Sequence, residues 1–145
     1  MSSSPFTHRN LPRLLLEARE AVMAHYRPGL RGEGLSDVQW RVLRVLAGYD
    51  AVETGRVARE AYVLGPSLTG VLARMERDGL VTRARCAEDA RRTVVSATPE
   101  GLARVQALSA GIEAHYRAIE ARLGAEKLAQ LYALLDELIA LEVSS

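Results

Sequence analysis

Apolar residues recur at helical spacing over most of this chain, and at strand spacing in one short stretch only. In residues 11–31, Leu11, Leu15, Ala18, Val22 and Tyr26 form one helical stripe, whose end is blurred by Pro28 and Gly29. After Leu35, the run Ser36-Asp37-Val38-Gln39 fits a capping box. The helix it opens has two apolar faces: Val38, Val42, Val45, Leu46 and Tyr49 on one side, Trp40, Leu43 and Ala47 on the other. This helix is therefore predicted to be buried on both sides, a natural place for a pocket. Thr54 is predicted to cap a short helix reaching about Tyr62, with Val57, Ala58 and Ala61 inward. Val63-Leu64-Gly65 then forms a glycine-containing turn of the length used in helix-turn-helix units. The next helix spans residues 66–78. Leu68, Val71, Leu72 and Met75 make its stripe, Gly65-Pro66 its start and Asp78-Gly79-Leu80 its stop.

Residues 80–86 and 93–98 are richer in Val, Thr and other strand-compatible residues and predict a two-stranded ribbon. The loop between them, Ala87-Glu88-Asp89-Ala90-Arg91-Arg92, is polar. Thr98-Pro99 opens a long helix whose stripe is Leu102, Val105, Leu108, Ile112, Tyr116, Ile119 and Leu123. Gly124 breaks it, and a last helix over residues 125–142 carries Leu128, Leu131, Leu134, Leu135, Leu138, Ile139 and Leu141 around most of its circumference. The expected fold is mainly α with a small β wing: a winged helix-turn-helix over residues 35–98 in a single domain. A short flexible lead, residues 1–10, precedes it. The helical segments 11–31 and 99–143 flank the module. A terminal helix that is apolar nearly all round must be covered, and a small monomer offers too little cover. A symmetric homodimer built on these flanking helices follows.

Away from its apolar stripe, the helix over 66–78 carries Pro66, Gly70, Ala73 and Arg77, flanked by Ser67, Thr69 and Arg74. Small residues let a backbone come close to another surface, and hydroxyls and guanidinium groups suit phosphate oxygens and base edges. An arginine at a hairpin tip is placed for phosphates or a narrow minor groove. Asp89, two residues before Arg91, is placed to hold its guanidinium in a fixed direction. The plainer readings are an ordinary amphipathic helix and a solvated hairpin end. Charge separates them. The net charge is only +1 overall, but residues 54–98 hold eight arginines and five acids, an excess of +3, while residues 99–145 are at −3. The basic excess sits on the proposed reader and wing, as an electrostatic footprint on DNA requires. The candidate DNA-contacting set is Thr54, Arg56, Pro66, Ser67, Thr69, Gly70, Arg74, Arg77, Asp89, Arg91 and Arg92. A dimer would set two reader helices roughly 34 Å apart, for a palindromic operator.

Other functional classes find little support. No apolar stretch approaches the roughly 18 residues of a membrane span, the first residues lack a secretory pattern, and the cytoplasm is the expected location. No cofactor motif, nucleophile–base pair or phosphate loop is present, so no enzyme is expected. His8, His25 and His115 show no metal-ligand spacing. The single cysteine, Cys86, excludes an intrachain disulfide. It is either an inert small residue in a strand or a redox-sensitive thiol beside Arg85.

One charge is out of place. Arg19 falls on the stripe of the first helix, between Leu15 and Val22 and in line with Tyr26. A guanidinium on a buried stripe needs a partner. That partner is either an acid, such as one across a dimer, or the carboxylate of a small ligand held bidentately. In the second case His25 and Tyr26 are placed to bond a ring hydroxyl and Trp40 to stack on the ring, with Arg13 a lesser candidate on the other side of the helix.

The motifs Leu35-Ser36-x-x-Gln39-Trp40-x-Val42-Leu43, Pro66-Ser67-Leu68-Thr69-x-Val71-Leu72-x-Arg74-Met75-Glu76-x-x-Gly79-Leu80-Val81, Asp89-x-Arg91-Arg92 and Thr98-Pro99-Glu100-Gly101 together resemble the MarR family of transcriptional regulators over nearly the whole chain. Leu16-Glu17-Ala18-Arg19-Glu20-Ala21-x-Met23, Tyr26-Arg27-Pro28 and Pro66-Ser67-Leu68-Thr69-Gly70 resemble its homoprotocatechuate-degradation operon repressor branch. The resemblance implies a homodimeric repressor on a palindromic operator, released by a small aromatic acid bound between the dimer helices and the winged module. It implies DNA contacts from Ser67, Thr69 and Arg74, and entry of Arg91 into the minor groove, oriented by Asp89. It also implies that Arg19 and His25 hold an aromatic carboxylate. The wing lacks the tip glycine of many members, and the N-terminal helix lacks the cysteine of the family's peroxide sensors. A winged helix serving protein–protein assembly and a redox-responsive regulator acting through Cys86 are the alternatives.

Overall fold

The computed structural model describes residues 4–142; part of the expected flexible lead, residues 1–3, lies outside the described residues. The chain divides after Leu108 into two compact units. The first holds α1 (Leu11–Gly32), α2 (Asp37–Leu46), β1 (Val52–Glu53), α3 (Thr54–Ala61), α4 (Gly65–Arg77), β2 (Val81–Arg85), β3 (Thr93–Ala97) and the start of α5 (Pro99–Leu123). The second holds the remainder of α5 and α6 (Ala125–Ala140). Mainly α with a small β wing is the observed class.

Each boundary has a local cause. Asn10 caps α1, its side-chain oxygen accepting from the Arg13 amide at 3.1 Å. The helix runs through Pro28 and Gly29 to Gly32, within a residue of the expected end. Ser36 and Gln39 make the expected capping box at α2, with bonds of 3.2 and 3.0 Å. Trp40, Val42, Leu43 and Leu46 are buried, so α2 is covered on both sides, but it ends at Leu46 and leaves Ala47 and Tyr49 exposed. Thr54 is not a cap: it is the first helical residue of α3, and Glu53 precedes it without a side-chain cap bond. The turn comes one residue early. Tyr62 takes the left-handed conformation and Gly65 already belongs to α4, so the turn is Tyr62-Val63-Leu64. At the end of α4, Gly79 is left-handed (φ 77°) and the Leu80 amide reaches back to the Met75 carbonyl at 2.9 Å, the Schellman closure that Asp78-Gly79-Leu80 predicts.

The ribbon pairs antiparallel from Val81 opposite Ala97 to Arg85 opposite Thr93. A third strand, β1, joins the other edge of β3 with Val52 opposite Val95, giving the order β1-β3-β2. Two residues are too short to carry an alternating pattern, which is why β1 is silent in the sequence. Val42, Leu43, Leu46, Val57, Leu72, Met75, Val81 and Val95 close the core around α2. Thr98 caps α5, accepting from the Gly101 amide at 3.0 Å and donating to the Gly79 carbonyl at 2.6 Å. Gly101 is fixed by the same packing: a side chain there would collide with the Leu80 carbonyl.

In the second unit Gly124 adopts φ 99°, a conformation that L side chains rarely take, and ends α5. No residue of α6 is buried, and Leu131, Tyr132, Leu134, Leu138 and Ile139 are exposed.

Candidate nucleic-acid interface

The reader helix α4 buries Leu68, Val71, Leu72 and Met75 and exposes Pro66, Ser67, Thr69, Ala73, Arg74 and Arg77. Its outward face is therefore the one the spacing predicts. Gly70 is half-buried, and a Cβ there would meet only the Arg74 guanidinium, at an ordinary 3.7 Å. Packing does not require this glycine, although a mid-helix glycine costs about 1 kcal/mol against alanine. Its effect is to keep the face low beside Thr69 and Arg74. Arg77 leans on Asp78 at 3.2 Å.

At the wing, the Asp89 carboxylate accepts from the Arg91 backbone amide at 3.0 Å and from its guanidinium Nε at 3.2 Å. A fixed arginine therefore projects from the hairpin with 91% of its side chain exposed. Arg92 differs. It is drawn back to Glu53 on β1 at 2.9 Å and lies 3.6 Å from the other Asp89 oxygen. Of the two adjacent arginines, one reaches outward and one fastens the wing to the β1 edge.

Between reader and wing lies a hollow of about 280 Å³ lined by Thr54, Gly55 and Ala58 of α3, Gly65, Leu68, Thr69 and Leu72 of α4, and Arg83 and Thr93 of the strands. It gathers three threonine hydroxyls and a guanidinium on one surface, which suits phosphate oxygens. Arg83 and Thr93 are additions that local patterning missed, since only the folded hairpin brings them beside α3. Glu76 holds Arg83, accepting from its guanidinium at 3.0 Å and its amide at 3.1 Å. Those bonds, side chain first and amide second, keep the Glu76 carboxyl below its ordinary value. Arg56 is engaged rather than free: it pairs with Glu60 at 2.7 Å, bonds the Tyr49 hydroxyl at 2.8 Å and lies 4.5 Å over the Tyr49 ring. The bond to Glu60 leads in raising the Arg56 pKa, and the same bond leads in lowering that of Glu60.

The effector candidates are only partly gathered. The buried face of α1 is Met23, Tyr26 and Leu30, rather than the whole stripe from Leu11. Arg19 stands one turn before Met23 on that same face but is exposed, as are Leu11, Leu15, Leu16 and Ala18. Trp40 is buried with Tyr26 in the first unit. His25 is exposed, and six residues put it about 120° around the helix from Arg19. Arg13 is spent on Glu17 at 3.1 Å. An unforeseen clamp sits beside them. Arg27 joins Glu20 at 2.7 and 2.9 Å and Asp37 at 3.0 Å, tying α1 to the first turn of α2. The bond from Arg27 leads in holding Glu20 below its ordinary value.

Comparison with known proteins agrees with this architecture. The MarR family matches residues 33–92. The homoprotocatechuate degradative operon repressor of Escherichia coli is 46% identical over 134 residues, covering 92% of this chain and 90% of that protein. Among solved structures, the transcriptional regulator PA4135 is 43% identical with a TM-score of 0.87, over 94% of this chain and all (100%) of that one. NadR in complex with 4-hydroxyphenylacetate is 37% identical with a TM-score of 0.83, over 97% of this chain and 100% of that one. The fold, the fixed wing arginine and this identity across nearly the full length agree: the chain belongs to the MarR family of winged helix-turn-helix regulators.

Proposed function

We propose that this protein is a homodimeric, cytoplasmic transcriptional repressor that holds a palindromic operator and is released by a small aromatic carboxylate. The observation that carries the reading is the Asp89-fixed Arg91, exposed at the wing tip in the same unit as a reader helix whose exposed face carries small residues, hydroxyls and guanidinium groups, with its one carboxylate, Glu76, paired to Arg83. Ser67, Thr69 and Arg74 contact the major groove on this reading, Arg91 the minor groove, and Thr54, Pro66, Gly70 and Arg77 fill the surface between. Arg56 and Arg92 act from their intramolecular ion pairs, as supports more than as free arms. Exposed apolar side chains on α1 and α6 support dimerisation.

For the effector, support comes from the relatives: one represses a homoprotocatechuate degradative operon, and one was solved with 4-hydroxyphenylacetate. Arg19 takes the carboxylate, with Tyr26, Trp40 and His25 around the ring and Arg13 at the margin. A duplex enriched by the protein from a randomised library gives the assay. Thermal-shift screening of aromatic acids, 4-hydroxyphenylacetate first, is expected to yield ligands that raise Tm and release that duplex. Arg19→Ala should still bind the duplex but no longer release it. Release retained in that variant would refute the ligand role of Arg19.

A further inference from the structure

Tyr62 is the one non-glycine residue with positive φ among the described residues, at φ 55° and ψ 50°. L side chains pay for the left-handed region, and glycine is the residue that helices ordinarily place there. Nothing in the packing explains a tyrosine. Its side chain is not used by the core: the residue is 85% exposed, and Leu64, two residues on, is 78% exposed.

The backbone beneath this side chain is held from two directions. The Val63 amide closes on the Ala58 carbonyl at 3.0 Å and the Tyr62 amide on the Arg59 carbonyl at 3.4 Å. From α2, the Arg41 guanidinium donates to the Ala61 carbonyl at 2.9 Å and the Tyr62 carbonyl at 3.3 Å. A strained conformation persists when its surroundings over-determine it, and such positions gather at ligand-contacting sites. Here the result is a large aromatic with a preset direction, just before the first turn of the reader helix.

The surface around it is continuous with the DNA face. A second, open hollow of about 670 Å³ is lined by Ala58, Arg59, Tyr62, Val63, Leu64 and Gly65. It shares Ala58 and Gly65 with the hollow between reader and wing. Arg59 gives it positive charge. A tyrosine at such a place offers a flat apolar ring for a deoxyribose and a hydroxyl for a phosphate oxygen.

We infer that Tyr62 and Arg59 form an additional backbone-contacting site for operator DNA, in which the left-handed turn presents the tyrosine to one sugar–phosphate step beside the base-reading helix. The inference rests on the DNA-binding reading above. Tyr62 supplies a directional contact and Arg59 a charge, so the two have different salt signatures. A neutral phenol releases no counterion, whereas each neutralised phosphate adds about 0.9 to the slope of log K against log salt.

The test uses the full-length protein and a duplex enriched from a randomised library by the wild type. Tyr62→Phe should weaken binding roughly tenfold, as expected for loss of a hydrogen bond to a charged group, with the salt slope unchanged. Arg59→Gln should lower the slope by about one. Tyr62→Gly should raise Tm, because the left-handed strain is relieved and no packing is lost, while weakening binding further than Tyr62→Phe. Opposite signs in stability and affinity separate a contact residue from a structural one. If Tyr62→Gly raises Tm and binds like the wild type, or lowers Tm, the inference is overturned; the first outcome leaves the patch to a protein partner. Arg91→Ala is the control. If it weakens binding while the Tyr62 variants do not, only this inference fails. If the wild type enriches no duplex, the DNA-binding reading fails with it.

Discussion

The wing offers the sharpest quantitative test, through Asp89→Asn. The substitution keeps an oxygen for the Arg91 amide, which Asp89 accepts at 3.0 Å, but removes the charge that holds the guanidinium at 3.2 Å. Two effects oppose each other. With 91% of the Arg91 side chain exposed, little besides Asp89 restrains it. Full ordering of an arginine costs about 2 kcal/mol of rotamer entropy, so losing roughly half of that preorganisation weakens binding by about 1 kcal/mol, or about fivefold. Removing a carboxylate also removes repulsion from the nearest phosphate. At a separation of about 6 Å in water that repulsion is about 0.7 kcal/mol, worth about threefold in the other direction. The net loss near physiological salt is therefore roughly twofold. Added salt screens the second effect and leaves the first, so the deficit should grow toward fivefold. Anisotropy titrations of an enriched duplex across a potassium chloride series measure this directly. Stability should hardly move, since an exposed ion pair is worth at most about 1 kcal/mol. A variant that binds more tightly than the wild type throughout the series would refute the orienting role of Asp89.

Other expectations concern the scaffold. Arg41→Ala removes the two side-chain bonds that reach from α2 to the turn before the reader helix and should cost about 1–3 kcal/mol in urea unfolding. Gly101→Ala drives a Cβ into the Leu80 carbonyl and should cost about 1–3 kcal/mol, read as a lowered Tm. Because Glu76 has a lowered pKa in the folded protein, its pairing with Arg83 stabilises the fold fully above the ordinary carboxylate value. That contribution is lost as pH falls through the lowered value. Glu76→Gln should therefore flatten the acid limb of a Tm-versus-pH profile, and an unaltered limb would contradict the pairing. Ile139→Asp on exposed α6 should shift light-scattering mass toward a monomer, and a dimer of unchanged affinity would remove α6 from the interface.

What the sequence revealed followed from the range of its signals. The Leu68-Val71-Leu72-Met75 stripe, the Ser36 capping box and the Asp78-Gly79-Leu80 stop are local in sequence, and each appears where the pattern puts it. Asp89 and Arg91 were legible because they are two residues apart. The pairing of Arg92 was not legible, because its main partner, Glu53, is 39 residues away on a strand too short to announce itself. Arg83 and Thr93 enter the hollow between reader and wing only through the hairpin register, and Arg41 reaches Ala61 and Tyr62 across 20 and 21 residues. The sequence pattern places the turn one residue late, with Gly65 as its glycine, whereas the left-handed position falls on Tyr62 and Gly65 opens α4.

The first helix sets the terms on which an effector can act. Its buried face stops at Met23, yet the same face continues through Arg19 into exposed Leu15 and Leu11. A charge at the edge between a covered and an uncovered part of one stripe contacts whatever covers the rest. On the proposed reading that cover is a second copy, so a carboxylate taken by Arg19 is felt where α1 leaves its own core and meets the partner. Arg27 then offers a route inward, because it links the Glu20 turn of α1 to Asp37 at the start of α2, and α2 forms the centre of the core from which the reader helix projects. Moving a population from almost wholly bound to almost wholly released needs a differential affinity of about 5.5 kcal/mol between the two states. A single charge-assisted pair supplies about 1.5–3 kcal/mol. Two symmetric sites acting on one dimer bring the total into the required range, and one site does not. Effector release on this reading is therefore cooperative, with a dose–response steeper than a single-site curve.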